Sequence, residues 1–155
     1  MSAYLVLKIT HIVSATILFG TGLGIAFFKW SVDRRGSVRV VRVVSEQVVL
    51  ADWCFTTPAI AVQAVTGIAL ARLMGFPLTY GWVAYALGLF CLAGLCWLPV
   101  VWLQIRMRDL ARQSEVTGKP LSETYYSYAR MWFWLGVPAF LALVVVFWLM
   151  VAKPR

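Results

Sequence analysis

The chain has 155 residues, 62% of them apolar and only 13% charged. Soluble domains average about 45–50% apolar and about 25% charged residues, so a water-soluble globule is excluded and the chain reads as one domain, 1–155, built for lipid. Its net charge of +8 falls in connections between apolar segments. It forms no basic groove with interleaved aromatics, which argues against a nucleic-acid partner.

Hydrocarbon about 30 Å thick needs roughly 20 apolar residues per helical crossing. Four stretches meet that length: Tyr4 to Phe28, Asp52 to Met74, Trp82 to Ile105 and Met131 to Val151. The first is too long and too lightly charged for a cleavable signal peptide and reads as a retained helix. Within it Lys8 and His11, the only histidine, stand three residues apart and share a helix face. Ser14, Ala15 and Leu18 continue on or near that face. Gly20, Gly22 and Gly24 then alternate, a pattern that predicts close approach by another helix or a flat ligand.

The first connection holds Lys29, Arg34, Arg35, Arg39 and Arg42. "SVRVVRVVSEQVVLADW" (Ser37–Trp53) has neither Gly nor Pro and spaces Arg39, Arg42 and Glu46 helically, so helix 2 is predicted to begin before the membrane. Asp52, Thr56, Thr57, Gln63 and Thr66 then enter the second span. "GFPLTYG" (Gly75–Gly81) is a turn. Helix 3 carries Pro99 and Gln104 and continues through "WLQIRMRDLARQ" (Trp102–Gln113) until "TGKP" (Thr117–Pro120) ends it. The third connection holds Arg106, Arg108, Arg112, Lys119 and Arg130. Tyr125, Tyr126, Tyr128, Trp132 and Trp134 predict an interfacial aromatic band before the fourth helix, which contains Pro138, with Tyr80 and Trp82 at the opposite interface.

Basic residues concentrate in connections one and three, whereas the second has Arg72 and the C-terminus Lys153 and Arg155. The positive-inside rule then places those two connections in the cytoplasm and both termini outside, in a bacterial inner membrane. The fold class is therefore all-α: a four-transmembrane-helix bundle with helices 2 and 3 extended into the cytoplasm. At the inner boundary Asp52 is expected to pair with Arg106 or Arg130, since an interfacial acid needs a partner. Cys54, Cys91 and Cys96 form no CxxC pair or zinc pattern and read as buried free thiols.

Polar groups within lipid usually face the bundle interior and mark pairing or function. His11 has two readings. It is either a neutral ring hydrogen-bonding a neighbouring helix, or an axial ligand to haem b, flanked by apolar side chains and glycines. In the second case His11 is the iron ligand, Lys8 one turn away holds a propionate, and Gly20, Gly22 and Gln63 complete the cofactor site. A single histidine supplies one axial ligand per chain.

The segments "LFGTGLGIAFF" (Leu18–Phe28), "ADWCFTTPAIAVQAVTG" (Ala51–Gly67), "WLPVVWLQIRMRDLA" (Trp97–Ala111) and "WFWLGVPAFLALVVVFWLMVAKP" (Trp132–Pro154) resemble a bacterial family of small integral membrane proteins of unknown function. That resemblance covers essentially the whole chain and implies four helices. "LKITHIVSATILFGTGL" (Leu7–Leu23) is similar to the first helix of the four-helix, haem-binding membrane protoporphyrinogen oxidases, with its Lys–His pair followed by glycine. This similarity implies that His11 holds haem, although helix 3 has no lysine where that family uses one in a later helix.

The first expectation is a haem b redox or electron-transfer protein acting on a quinone or porphyrin-like substrate. The second is a non-enzymatic accessory or lipid- or small-solute-binding module in which His11 is structural. Self-association into a homo-oligomer is expected in either case.

Overall fold

The computed structural model describes residues 2–154; Arg155, counted above among the basic residues, lies outside them. Four helices fill nearly the whole chain: α1 (Ala3–Arg35), α2 (Val38–Leu73), α3 (Gly81–Thr117) and α4 (Glu123–Ala152). All four are long and apolar enough to cross a membrane. Each outruns its apolar stretch because no helix breaker stands at the hydropathic edge.

Local chemistry sets the ends. Ser2 and Ser122 accept from the backbone N–H of Leu5 at 3.4 Å and of Tyr125 at 3.2 Å, capping α1 and α4. Helix α3 stops at Gly118, whose φ of 65° is left-handed and suits a residue without Cβ. Within α2, the five residues Asp52–Thr56 form a π-helical turn. Pro58 supplies the cause: it lacks an N–H, and its ring crowds the Cys54 carbonyl one turn back. The backbone widens there, and the Thr57 hydroxyl donates to the Asp52 carbonyl oxygen at 2.9 Å.

One buried stripe runs the length of α2 through Val41, Ser45, Val48, Asp52, Thr56, Ala59, Gln63 and Thr66. Its steps alternate four and three except across Asp52, where two steps of four bracket the wider turn. Most of its membrane portion is polar. Meanwhile large apolar side chains such as Phe27, Phe28, Trp134 and Trp148 are exposed on the outside of the bundle, as lipid contact favours.

Packing differs between the two ends. At the basic end, which carries the Gly36–Ser37 and Gly118–Ser122 connections, Val41, Leu103, Met107, Ala111, Tyr125 and Trp132 form the main core. The second core, Ala86, Val146 and Leu149, belongs to α3 and α4 alone. Helix α1 packs against the C-terminal half of α2, α3 packs along α4, and α1 barely meets α4. Two hairpins thus close on each other at the basic end and part towards the termini.

The closed end holds a buried polar triad. Lys29 Nζ donates to both Asp33 carboxylate oxygens at 2.7 Å and to the Tyr125 hydroxyl at 2.5 Å. Tyr125 in turn donates to Asp33 at 2.6 Å, joining α1 to α4. Burial and the Asp33 carboxylate hold the phenol well above its ordinary range, so it remains a donor. Tyr125 is thus fully buried rather than a member of the interfacial aromatic band, and Trp132 is also inside.

Closer to the surface, Glu46 bonds Arg112 at 2.7 Å and Arg42 at 2.8 Å, and Arg42 also pairs with Glu115, which ties α2 to α3. Arg112 first, then Arg42, hold the Glu46 carboxyl below its ordinary range. Such half-exposed pairs contribute little each.

Asp33→Asn leaves the buried Lys29 ammonium without its counter-charge, which is expected to cost about 3–5 kcal/mol. Tyr125→Phe removes one neutral partner and is expected to cost about 1–3 kcal/mol. Thermal unfolding in detergent checks the order; equal losses would contradict a charge-centred triad.

Candidate functional site: a two-chambered cleft between the hairpins

Near the termini, α1 and α2 are joined by a chain of side-chain hydrogen bonds. Thr66 donates its hydroxyl to the Val62 carbonyl at 2.6 Å, so towards His11 Nδ1, 2.8 Å away, its oxygen accepts. Nδ1 therefore carries the ring proton and Nε2 the lone pair. That lone pair accepts from the Gln63 amide at 3.1 Å, while Gln63 Oε1 accepts from the Ser14 hydroxyl at 2.5 Å. Ser14 also lies 3.0 Å from the His11 carbonyl oxygen. Both ring nitrogens are satisfied, and all four side chains are buried.

Gly67 lets the ring lie against α2, since a Cβ there would stand 3.1 Å from His11 Cε1. No helix of the same chain makes the close approach expected of Gly20, Gly22 and Gly24: a Cβ at any of them meets nothing within 4 Å. The reason is that Gly20 lies on the exposed side of α1, while Gly22 borders the open space between the hairpins.

An axial ligand must present an imidazole lone pair to iron. For His11 that lone pair is committed to Gln63, the other nitrogen to Thr66, and the ring is backed by Gly67. The residues as arranged do not fit a haem. Among the described residues no group of three or more His, Cys, Asp or Glu could hold a metal ion.

The space between the hairpins forms two chambers. The terminal chamber, about 500 Å³, is bounded by Tyr4, Lys8, His11, Gln63, Trp82 and Lys153 among others. The deep chamber, about 360 Å³, is bounded by Gly22, Asp52, Thr56, Trp97, Gln104 and Trp132 among others. Leu18, Phe19, Phe90 and Leu143 line both, so the two chambers adjoin. At that junction Phe19 of α1 meets α4, with ring centroids 4.7 Å from Phe140 and 5.3 Å from Phe147.

Of the residues singled out from sequence, Lys8, His11 and Gln63 share the terminal chamber, Gly22 falls in the deep one, and Gly20 lines neither. Lys8 is exposed, its ammonium 5.6 Å from the Tyr4 ring centre.

Asp52 pairs with neither arginine. Arg106 lies over the Trp102 ring at 5.4 Å and Arg130 donates to Ser127 at 3.4 Å, both on exposed surface, whereas Asp52 belongs to the inward stripe. The cysteines are free, but Cys54 and Cys91 are exposed and Cys96 partly so, because they sit on lipid-facing sides of their helices.

The deep chamber carries a signal that sequence reading missed. Asp52 Oδ2, Thr56 Oγ1, Gln104 Oε1, Trp97 Nε1 and Trp132 Nε1 are all buried without a well-aligned hydrogen bond; the Thr56 and Gln104 side chains stand beside the Asp52 carboxyl, whereas the two indole N–H groups meet no acceptor. The one other such atom among the described residues, Arg42 Nε, lies against Glu115. An unsatisfied buried polar group costs about 1–3 kcal/mol. The two indoles alone therefore cost about 2–6 kcal/mol, a sizeable part of the about 5–15 kcal/mol that holds a whole domain together. Such groups call for a polar complement inside the chamber.

Gly67→Val presses a branched side chain on a ring anchored at both nitrogens. Overpacking of this kind is expected to cost about 1–3 kcal/mol, read as a lower Tm in detergent. An unchanged Tm would show that the ring moves freely.

No curated protein and no solved structure matches the chain. A family model described as "Predicted integral membrane protein (DUF2269)" matches residues 5–154. With four spanning helices and that match over nearly its whole length, the chain belongs to this family of integral membrane proteins of unknown function.

Proposed function

We propose that this protein is a non-enzymatic membrane module that takes an amphiphile out of the bilayer into the cleft between its hairpins. The observation that carries this reading is the pairing of an apolar two-chambered cleft with five poorly satisfied polar atoms at its deep end, two of them indole N–H groups without an acceptor. A ligand pocket is mostly apolar with a few convergent polar groups, and an amphiphile matches that gradient. Quinones and porphyrin-like molecules fall within the same broad class.

The hydrogen bonds of His11 support its structural role in this module. The competing reading, a haem b electron-transfer protein, requires that Gln63 release Nε2. The clustering of basic residues in the connections at one end supports an inner-membrane orientation with that end cytoplasmic, both termini outside, and helices α2 and α3 reaching beyond the bilayer. Gly20 and Gly24, four residues apart with open space beside both, support self-association through a small-xxx-small face on α1.

Gly94 lines the deep chamber and has nothing within 4 Å of its Cβ position, so Gly94→Phe fills the space without a clash at the backbone. Mass spectrometry of the protein released intact from mild detergent is expected to show a bound amphiphile in the wild type and none in Gly94→Phe. No adduct in the wild type, or an adduct indifferent to Gly94→Phe, would overturn the reading. A Soret band in the wild type that disappears in His11→Ala would restore the haem reading in its place.

A further inference from the structure

The unpartnered atoms of the deep chamber differ in what they require. Trp97 and Trp132 present indole N–H groups, which only donate. Gln104 Oε1 only accepts, the Thr56 hydroxyl does both, and Asp52 adds a carboxyl oxygen. Asp52, Thr56, Gln104 and Trp132 are each more than nine-tenths buried. No Lys, Arg or His lines the deep chamber, and among the described residues Asp52 makes no ion pair.

That set discriminates between head groups. A carboxylate or phosphate would satisfy the indoles but stand beside the Asp52 carboxyl with no cation to offset it. An ammonium would satisfy Asp52 and Gln104 but leave both indole N–H groups without an acceptor. A head that brings donors and acceptors together, with no negative charge, satisfies all five atoms.

We propose that the deep chamber binds the neutral, hydroxyl-bearing head of an aliphatic amphiphile, one that also carries a carbonyl or second hydroxyl oxygen. The indoles donate to its oxygens, and its hydroxyl donates to Gln104 or Asp52. Its tail runs past Phe19 into the terminal chamber, the apolar space that adjoins the deep one. This assignment rests on the reading of the cleft as an amphiphile site.

The test compares three ten-carbon probes, 1-decanoylglycerol, decanoate and decylammonium, by equilibrium dialysis against the full-length protein in lipid nanodiscs, with empty nanodiscs as the blank. The expected result is saturable binding of decanoylglycerol alone. Gln104→Leu should weaken it about tenfold, the effect of losing one well-placed hydrogen bond. Asp52→Asn keeps size and hydrogen bonding while removing the acid, so it should retain decanoylglycerol and newly admit decanoate. Asp52→Asn and Gln104→Leu are compared with the wild type in thermal unfolding, and the Asp52→Asn gain of decanoate binding is a readout that a folding defect cannot mimic.

If decanoate or decylammonium binds the wild type as tightly as decanoylglycerol, or if Gln104→Leu leaves binding unchanged, the head-group assignment is wrong while the cleft reading stands. Decanoate binding that Lys8→Ala removes would place the head at the terminal mouth, again overturning only the assignment. If no probe binds the wild type above the blank, the cleft reading itself fails.

Discussion

The hydrogen-bond chain from Thr66 through His11 and Gln63 to Ser14 makes α1 and the membrane half of α2 a single hairpin, and the cleft exists because of it. In lipid there is little hydrophobic drive to bring helices together, so packing and polar cross-links decide which helices associate. Near the termini those cross-links join α1 only to α2, while apolar packing joins α3 only to α4. No polar contact spans the gap there among the described residues; Phe19 against Phe140 and Phe147 is the aromatic contact that does.

The opposite end is built on another principle. The Lys29–Asp33–Tyr125 triad places a charge and its counter-charge within α1 and uses a phenol of α4 to complete them. Removing any one member leaves a buried polar group uncompensated, so the closed end is specified strongly. A bundle clamped at one end and divided at the other holds its shape without filling its middle. The deep chamber lies at the transition, where the hairpins have begun to part and the π turn of α2 widens the backbone.

The polar residues of α2 then divide by partner. Gln63 and Thr66 face α1 and are satisfied by His11 and by carbonyl groups of their own helix. Asp52 and Thr56, on the same stripe but lower, face the space between hairpins and have only each other and Gln104 beside them. One amphipathic stripe thus serves as glue along half its length and as a binding wall along the other half. The difference comes from which neighbour lies opposite, since the side chains are similar in kind.

Length, composition and turn chemistry by themselves determined that this chain is helical, crosses lipid four times and turns at Gly75–Gly81 and Thr117–Pro120, because the cost of burying an unpaired backbone in hydrocarbon leaves few alternatives. They also marked His11, Gln63 and Asp52 as inward-facing, since polar groups avoid lipid. Only the tertiary structure decided what each one meets. His11 could equally present its lone pair to a metal or to an amide, Asp52 to an arginine or to an empty chamber, and Gly20 or Gly67 could mark the close contact. Those outcomes depend on rotation and crossing of helices whose apolar surfaces are nearly uniform, and a sequence of similar hydrophobic faces carries little record of which one lies against which.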